Sequence, residues 1–159
     1  MRFDIITIFP EMFAPILNES MVKRAQMKKK VAINVYDLRK YTKDKHNKVD
    51  ARPFGGGPGM VMMAQPVFDA VKKIKGRRKA KVIMLCPTGI PLTQRKARSL
   101  SKLKNLILVC GHYECIDHRV EMEVIDESIS IGDYILTGGE LPAMVLVDSI
   151  TRLLPGVLG

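Results

Sequence analysis

The feature that most limits the fold is an alternation. Short β-branched or aliphatic runs at residues 3–8, 31–36, 81–86 and 105–110 are separated by segments with helical spacing. Consecutive apolar positions are what strands covered on both faces require. Three runs end at a residue that turns the chain: Pro10, Pro87 and Gly111. Residues 11–27 predict one or two helical pieces. Segments 65–75, 93–103, 116–124 and 141–154 predict helices, the first of these four from Val67, Phe68, Val71 and Ile74. Thr93 is a ready N-cap, and Pro142 falls in a first helical turn, where proline is tolerated. Residues 125–131 predict a partly extended segment. Residues 37–59 are polar and basic, then rich in Gly and Pro, and predict a long surface loop. Strands alternating with helices argue for an α/β fold with a largely parallel sheet flanked by helices.

The 159 residues suit one domain, and 47% hydrophobic with 26% charged residues excludes a disordered or collagen-like chain. No run of 18 apolar residues exists, so no membrane partner is expected. Three cysteines, Cys86, Cys110 and Cys115, are too few for a disulfide framework. Reduced thiols and a start without a signal-peptide pattern point to the cytoplasm.

The net charge is +10, but its distribution says more. Residues 1–104 carry 24 basic against 7 acidic side chains, a net of +17; residues 105–159 carry 2 against 9, a net of −7. Such a basic portion implies a polyanionic partner, nucleic acid first. The plain alternative is a solvated surface tuned for solubility.

Three segments carry candidate chemistry. Gly55, Gly56, Gly57 and Gly59 with Pro53 and Pro58 form a permissive loop that matches neither phosphate-loop nor dinucleotide patterns. Residues 110–118 follow a predicted strand, and in open α/β sheets ligands sit beyond the carboxyl ends of strands. Glu114 and Asp117 are therefore placed to face a ligand, and Tyr113 to stack on a base. A zinc site from Cys110, His112, Cys115 and His118 matches no standard spacing. Residues 130–142 flank Asp133 and Tyr134 with Gly132, Gly138 and Gly139 and offer free backbone groups to an adenine or ribose. No nucleophile elbow for a catalytic triad exists.

Five ordered blocks, 8–13, 50–60, 108–114, 130–142 and 152–159, resemble the bacterial tRNA (guanine-N1)-methyltransferases of the SPOUT class. The resemblance runs from end to end of the chain. It implies methyl transfer from S-adenosyl-L-methionine to N1 of the guanosine 3′ to the tRNA anticodon. It also implies a homodimer with each active site at the interface, and a deep C-terminal trefoil knot, which general fold rules would not predict.

Carried over by position, the cofactor loops are Leu85, Cys86 and Pro87; Gly111 and Tyr113; and Ile131, Gly132, Asp133, Tyr134, Ile135, Leu136, Gly138 and Gly139. Tyr113, Glu114 and Arg152 match positions that meet the base or the cofactor's methionine end. Glu114 would accept a hydrogen bond from guanine, and Arg152 would stabilise charge on the base as N1 loses its proton. Asp50, Gly57, Pro58 and Gly59 would stand near the flipped guanosine. Basic segments 23–48 and 72–104 would meet tRNA phosphates.

The resemblance leaves a magnesium ion open. Cys115 stands where the family usually has Gly, which would strain the loop if φ were positive there. His118 replaces an acid. The family continues into a helical C-terminal domain carrying the aspartate that acts as general base, and no position among these 159 residues matches it. These residues are therefore expected to form the cofactor-binding domain, weakly active or inactive alone. The alternative is a non-catalytic RNA-binding protein retaining the fold.

Overall fold

All four apolar runs become strands of one parallel sheet. A computed structural model describes residues 1–53 and 55–158. The strands are β1 (Arg2–Thr7), β2 (Ala32–Asp37), β3 (Asp50–Ala51), β4 (Val61–Met62), β5 (Lys81–Pro91), β6 (Asn105–Cys110), β7 (Cys115–Ile116) and β8 (Glu127–Ser130). The helices are α1 (Ala14–Leu17), α2 (Ser20–Met27), α3 (Ala64–Lys75), α4 (Gln94–Leu100), α5 (His118–Glu123) and α6 (Glu140–Thr151). The main sheet has the order β2-β1-β6-β5-β8, with every pair parallel. A small second sheet orders β3-β4-β7.

The strand period of two divides the core. Phe3, Ile5, Ile83, Leu85, Leu106 and Leu108 belong to a buried cluster that includes α2, α4 and α6 residues. Ile6, Val82, Ile107 and Val109 belong to a second cluster with α3. Helices thus cover both faces, which is why the strands read as continuous apolar runs rather than alternating ones. Thr93 caps α4 as anticipated, its hydroxyl accepting from the Lys96 N–H at 3.2 Å.

One polar group interrupts β1. Asp4 is fully buried, accepting from Arg2 Nε at 2.9 Å, Arg78 at 3.0 Å, Asn34 at 3.0 Å and Tyr36 at 3.1 Å. Burial pushes its carboxyl up, but the hydrogen bonds from Arg2 and Arg78 outweigh that and hold it below its ordinary value.

The structure corrects several expectations. Residues 37–59 are not simply a surface loop: Leu38 and Val49 are buried, a 3₁₀ turn spans Leu38–Tyr41, and β3 follows. Single buried positions without a period leave no pattern to read. The strand beginning at Lys81 does not stop at Pro87. After Leu85 pairs with Ile129, residues 86–89 bulge out, and Ile90 pairs with Ile129 again. The helix expected from 116 starts at His118, because Asp117 caps it by accepting from the Arg119 N–H at 3.0 Å. Cys115 needs no positive φ, since it lies in β7 opposite Val61; the left-handed residue of that loop is Tyr113, with φ 63°.

After β8 the chain passes back against β6. The Gly139 N–H donates to the Gly111 carbonyl at 2.8 Å, and His112 bridges Gly138. Gly89 presses on the β8 backbone so closely that an added Cβ would lie 2.5 Å from the Ile129 nitrogen. The C-terminal segment is therefore enclosed between the β5 bulge and the β6 loop before α6 begins.

Candidate active site

The carboxyl ends of β5, β6 and β8 open into one cleft of about 970 Å³. Three chain segments form its main wall: 84–88 from the β5 bulge, 111–116 after β6, and 129–139 leading into α6. Parallel pairing aims all three loops at the same pole. The opposite wall comes from 51–53, 61–65 and the start of α5.

Of the positions carried over for the cofactor, Leu85, Cys86, Pro87, Gly111, Tyr113, Ile131, Gly132, Tyr134, Ile135, Leu136, Gly138 and Gly139 line this cleft. Asp133 is exposed and does not. Glycine is demanded sterically at Gly139 above all, where the obstacles include backbone that cannot turn away. A Cβ on Gly139 would stand 2.8 Å from Cys110 Cα, 3.0 Å from Gly111 N and 3.2 Å from Leu85 Cβ. On Gly132 it would strike the Tyr134 ring, and on Gly138 the His112 ring and the Glu140 carboxylate. Such a cradle leaves backbone N–H and C=O groups close to the cleft, which suits a flat heterocycle and a ribose held by main-chain hydrogen bonds.

The substrate-side positions divide. Glu114 lines the cleft, and its side chain lies over Gly59, where any Cβ would collide with it. The Glu114 N–H donates to the Met60 carbonyl at 3.2 Å, and the Asp117 N–H to Met62 at 2.9 Å, so the small sheet ties the glycine loop to the post-β6 loop. Asp50 stands beside Tyr113: burial, then the Asp50 charge, push the Tyr113 phenol up. Gly57 and Pro58 are exposed and do not line the cleft. Phe54, part of the same loop, lies outside the described residues.

Arg152 is not brought to the cleft within one chain. It caps the far end of α6 and is exposed. A helix of 12 residues separates it by about 18 Å from the helix start at the cleft. Within one subunit Arg152 and Glu114 therefore stand apart, and a constellation joining them needs two copies of the chain.

Sequence reasoning missed the groups beneath the cleft. Glu140 is buried in the first turn of α6, where the helix dipole favours a negative charge. It accepts from the Thr7 hydroxyl at 2.7 Å, and His112 Nδ1 stands 3.6 Å from its second oxygen. Thr7 in turn accepts from the Phe9 N–H at 2.9 Å. An acid after two glycines signals a helix start, but nothing in the sequence signals its burial. Cys110 is enclosed in β6, and burial followed by the Glu140 charge pushes its thiol well up. Among the described residues, no three His, Cys, Asp or Glu side chains gather as a metal site would require. Nor is any described helix long and apolar enough to cross a membrane.

The family model described as tRNA (Guanine-1)-methyltransferase TrmD matches residues 1–159. A tRNA (guanine-N(1)-)-methyltransferase of Ruminiclostridium cellulolyticum is 58% identical over 160 residues, covering 99% of this chain and 69% of that protein. The corresponding protein of Staphylococcus haemolyticus is 49% identical, with 100% and 65% covered. The chain thus spans about two thirds of the length of these curated relatives. The crystal structure of a tRNA (m1G37) methyltransferase from Aquifex aeolicus superposes with a TM-score of 0.93 at 38% identity, covering all of this chain and 72% of that one. The parallel α/β sheet with its enclosed C-terminal segment is accordingly the knotted SPOUT architecture.

Proposed function

The chain belongs to the tRNA (guanine-1)-methyltransferase family, and from that premise we propose that these residues bind S-adenosyl-L-methionine and present it to N1 of the guanosine 3′ to the tRNA anticodon. The observation that carries the reading is the cradle itself. Three loops from β5, β6 and β8 converge where Gly139 has no room for a side chain, and the backbone of 85–87 and 131–136 runs alongside the cleft. S-adenosyl-L-methionine supplies an electrophilic methyl group there.

The chain's own residues orient and exclude. Leu85, Ile131 and Leu136 give the cleft apolar walls that shed water. Tyr113, held in its left-handed conformation between Asp50 and the His112 ring, offers a face for a flipped base. Glu114, beside Gly59, accepts a guanine N–H and so fixes which base edge meets the methyl group. Asp117 is committed to Arg119 at 2.6 Å, whose hydrogen bond holds its carboxyl below the ordinary value, so it is a poor proton acceptor. The N1 proton then needs a carboxylate from outside these residues. General-base assistance is worth about 10² to 10⁴-fold, so the 159-residue polypeptide alone should turn over slowly.

The working unit in this reading is a homodimer in the cytoplasm. Phe9, Met12, Leu141 and Val145 expose apolar surface beside the cleft, and Phe9, Met12 and Leu141 meet around one small hollow. A second copy on that face would let Arg152 act across the interface.

Calorimetric titration with S-adenosyl-L-methionine, and methylation of undermodified tRNA by the same polypeptide, test the reading. Micromolar binding with weak turnover is expected. Absence of binding at millimolar cofactor would refute the site, and robust turnover would refute the missing base. A monomer by analytical ultracentrifugation at 100 µM would refute the interface.

A further inference from the structure

The long basic portion of the sequence does not collect on one side of the molecule. Arg39, Lys40, Lys43, Lys45 and Lys48 follow β2 and so lie at the carboxyl pole, where Arg39 approaches the Phe9 ring at 5.7 Å. These cations are near the cleft, and an RNA delivering a base there accounts for them. Lys28, Lys29, Lys30, Arg77, Lys79, Lys102 and Lys104 precede β2, β5 and β6 instead. They occupy the opposite pole, about 20 Å away along a six-residue strand.

We propose that this amino edge of the parallel sheet is a second RNA-binding surface, which takes up a phosphate backbone at the pole opposite the cleft. The partner class rests on the methyltransferase reading above; the surface itself rests on geometry. Its loops form one strip. The Met1 amine donates to the Lys30 carbonyl at 2.8 Å, the Arg2 N–H to Lys104 at 2.8 Å, and the Asn105 side chain to Lys79 at 3.0 Å. Four adjacent strands, β2-β1-β6-β5, make the strip about 14 Å wide.

Three acids at this edge are already committed, whereas Glu123, exposed at the end of α5, lies beside β8 and outside the four-strand strip. Asp4 is enclosed by Arg2 and Arg78, Glu127 pairs with Lys81 at 2.7 Å and also with Lys96, and Asp126 accepts from the Val82 N–H at 2.7 Å. Among the described residues, the seven cations have no acidic partner, and all seven are exposed. Lys28 only donates to the Gly156 carbonyl, at 3.3 Å. Lys29 also stands at the left-handed position just past α2, φ 54°, where glycine is the unstrained choice. A like-charged strip of this kind repels itself, and a polyanion relieves the repulsion. Its width matches several consecutive phosphates of an RNA helix.

The test is the triple variant Lys29→Ala/Lys79→Ala/Lys104→Ala, compared with Lys40→Ala/Lys45→Ala/Lys48→Ala from the cleft side. Binding of labelled tRNA is measured by fluorescence anisotropy between about 50 and 300 mM salt. The pole variant should bind at least tenfold more weakly at low salt, with a log–log salt slope shallower by about 2–3, close to one per lost phosphate contact. Its S-adenosyl-L-methionine titration should match the parent. An unchanged slope and affinity in the pole variant, with the whole loss in the cleft-side variant, would overturn the proposal. So would parent binding to phosphatidylserine vesicles that the pole variant loses while its RNA binding stays intact. Failure of the parent to bind cofactor would count against the methyltransferase site and leave the RNA comparison readable.

Discussion

Adding one methyl group at Gly139 tests the cradle directly. Its φ of −81° suits any residue, so Gly139→Ala carries no backbone penalty and its cost is purely steric. The new Cβ would lie 2.8 Å from Cys110 Cα and 3.2 Å from Leu85 Cβ. Comfortable carbon–carbon contact needs about 3.5–4.0 Å, so the loop must retreat by roughly 0.7 Å or more. The obstacles are backbone of β6 and a core side chain, which cannot rotate away. Retreat also stretches the 2.8 Å hydrogen bond from Gly139 to Gly111. Overpacking costs about 1–3 kcal/mol and a weakened hydrogen bond about 1 kcal/mol, giving about 2–4 kcal/mol together. For a domain of this size each kcal/mol moves the melting midpoint by about 2–4 °C, so a loss of about 4–16 °C is expected by calorimetry. S-adenosyl-L-methionine affinity should fall at least tenfold, because all three loops meet at this point. Gly56→Ala is the control: nothing lies within 4 Å of its Cβ, and only φ +82° opposes it. It should cost about 1–2 kcal/mol through the backbone alone and leave cofactor binding unchanged. A Gly139→Ala protein that melts within 2 °C of the parent and binds cofactor within twofold would refute the reasoning.

Acid should destabilise the fold through its paired carboxylates. Asp4 and Glu127 are both held below their ordinary values, burial raising each and its paired cations lowering it further. Depressed native values mean the stabilisation is present at neutral pH and lost as pH falls below about 4, which urea titrations from pH 7 to 3 would follow. Asp4→Asn should cost about 3 kcal/mol at pH 7 and flatten that acid limb; an equally steep limb would remove Asp4 as its source. The thiols should separate by access. Exposed Cys115 should react first with a chromogenic disulfide reagent and half-buried Cys86 more slowly, while Cys110, buried and with a raised thiol, should react only on unfolding. Rapid titration of all three thiols in the native protein would contradict the enclosure of β6.

Legibility followed locality. The strands at 3–8, 31–36 and 105–110 were readable within one or two residues, because each is a short apolar run bounded by turn chemistry. Thr93 as a cap was readable for the same reason. Residues 86–91 were not: the second pairing of Ile90 with Ile129 depends on a residue 39 positions away. Most positions carried over by resemblance line the cleft, whereas the network of His112, Glu140 and Thr7 could not be read, since its meaning lies in burial across 133 residues of sequence.

Periodicity and turn residues alone determined that this chain builds a parallel α/β sheet, because each signal acts within a few residues. Only the tertiary structure decided which ends of the strands meet. It gathered 85, 111 and 139 into one cradle, left Arg152 at the far end of α6, and located the left-handed strain at Tyr113 rather than Cys115. It also split the basic residues between two poles. In a parallel sheet a loop before a strand and a loop after it lie at opposite edges, and a linear charge count cannot distinguish them.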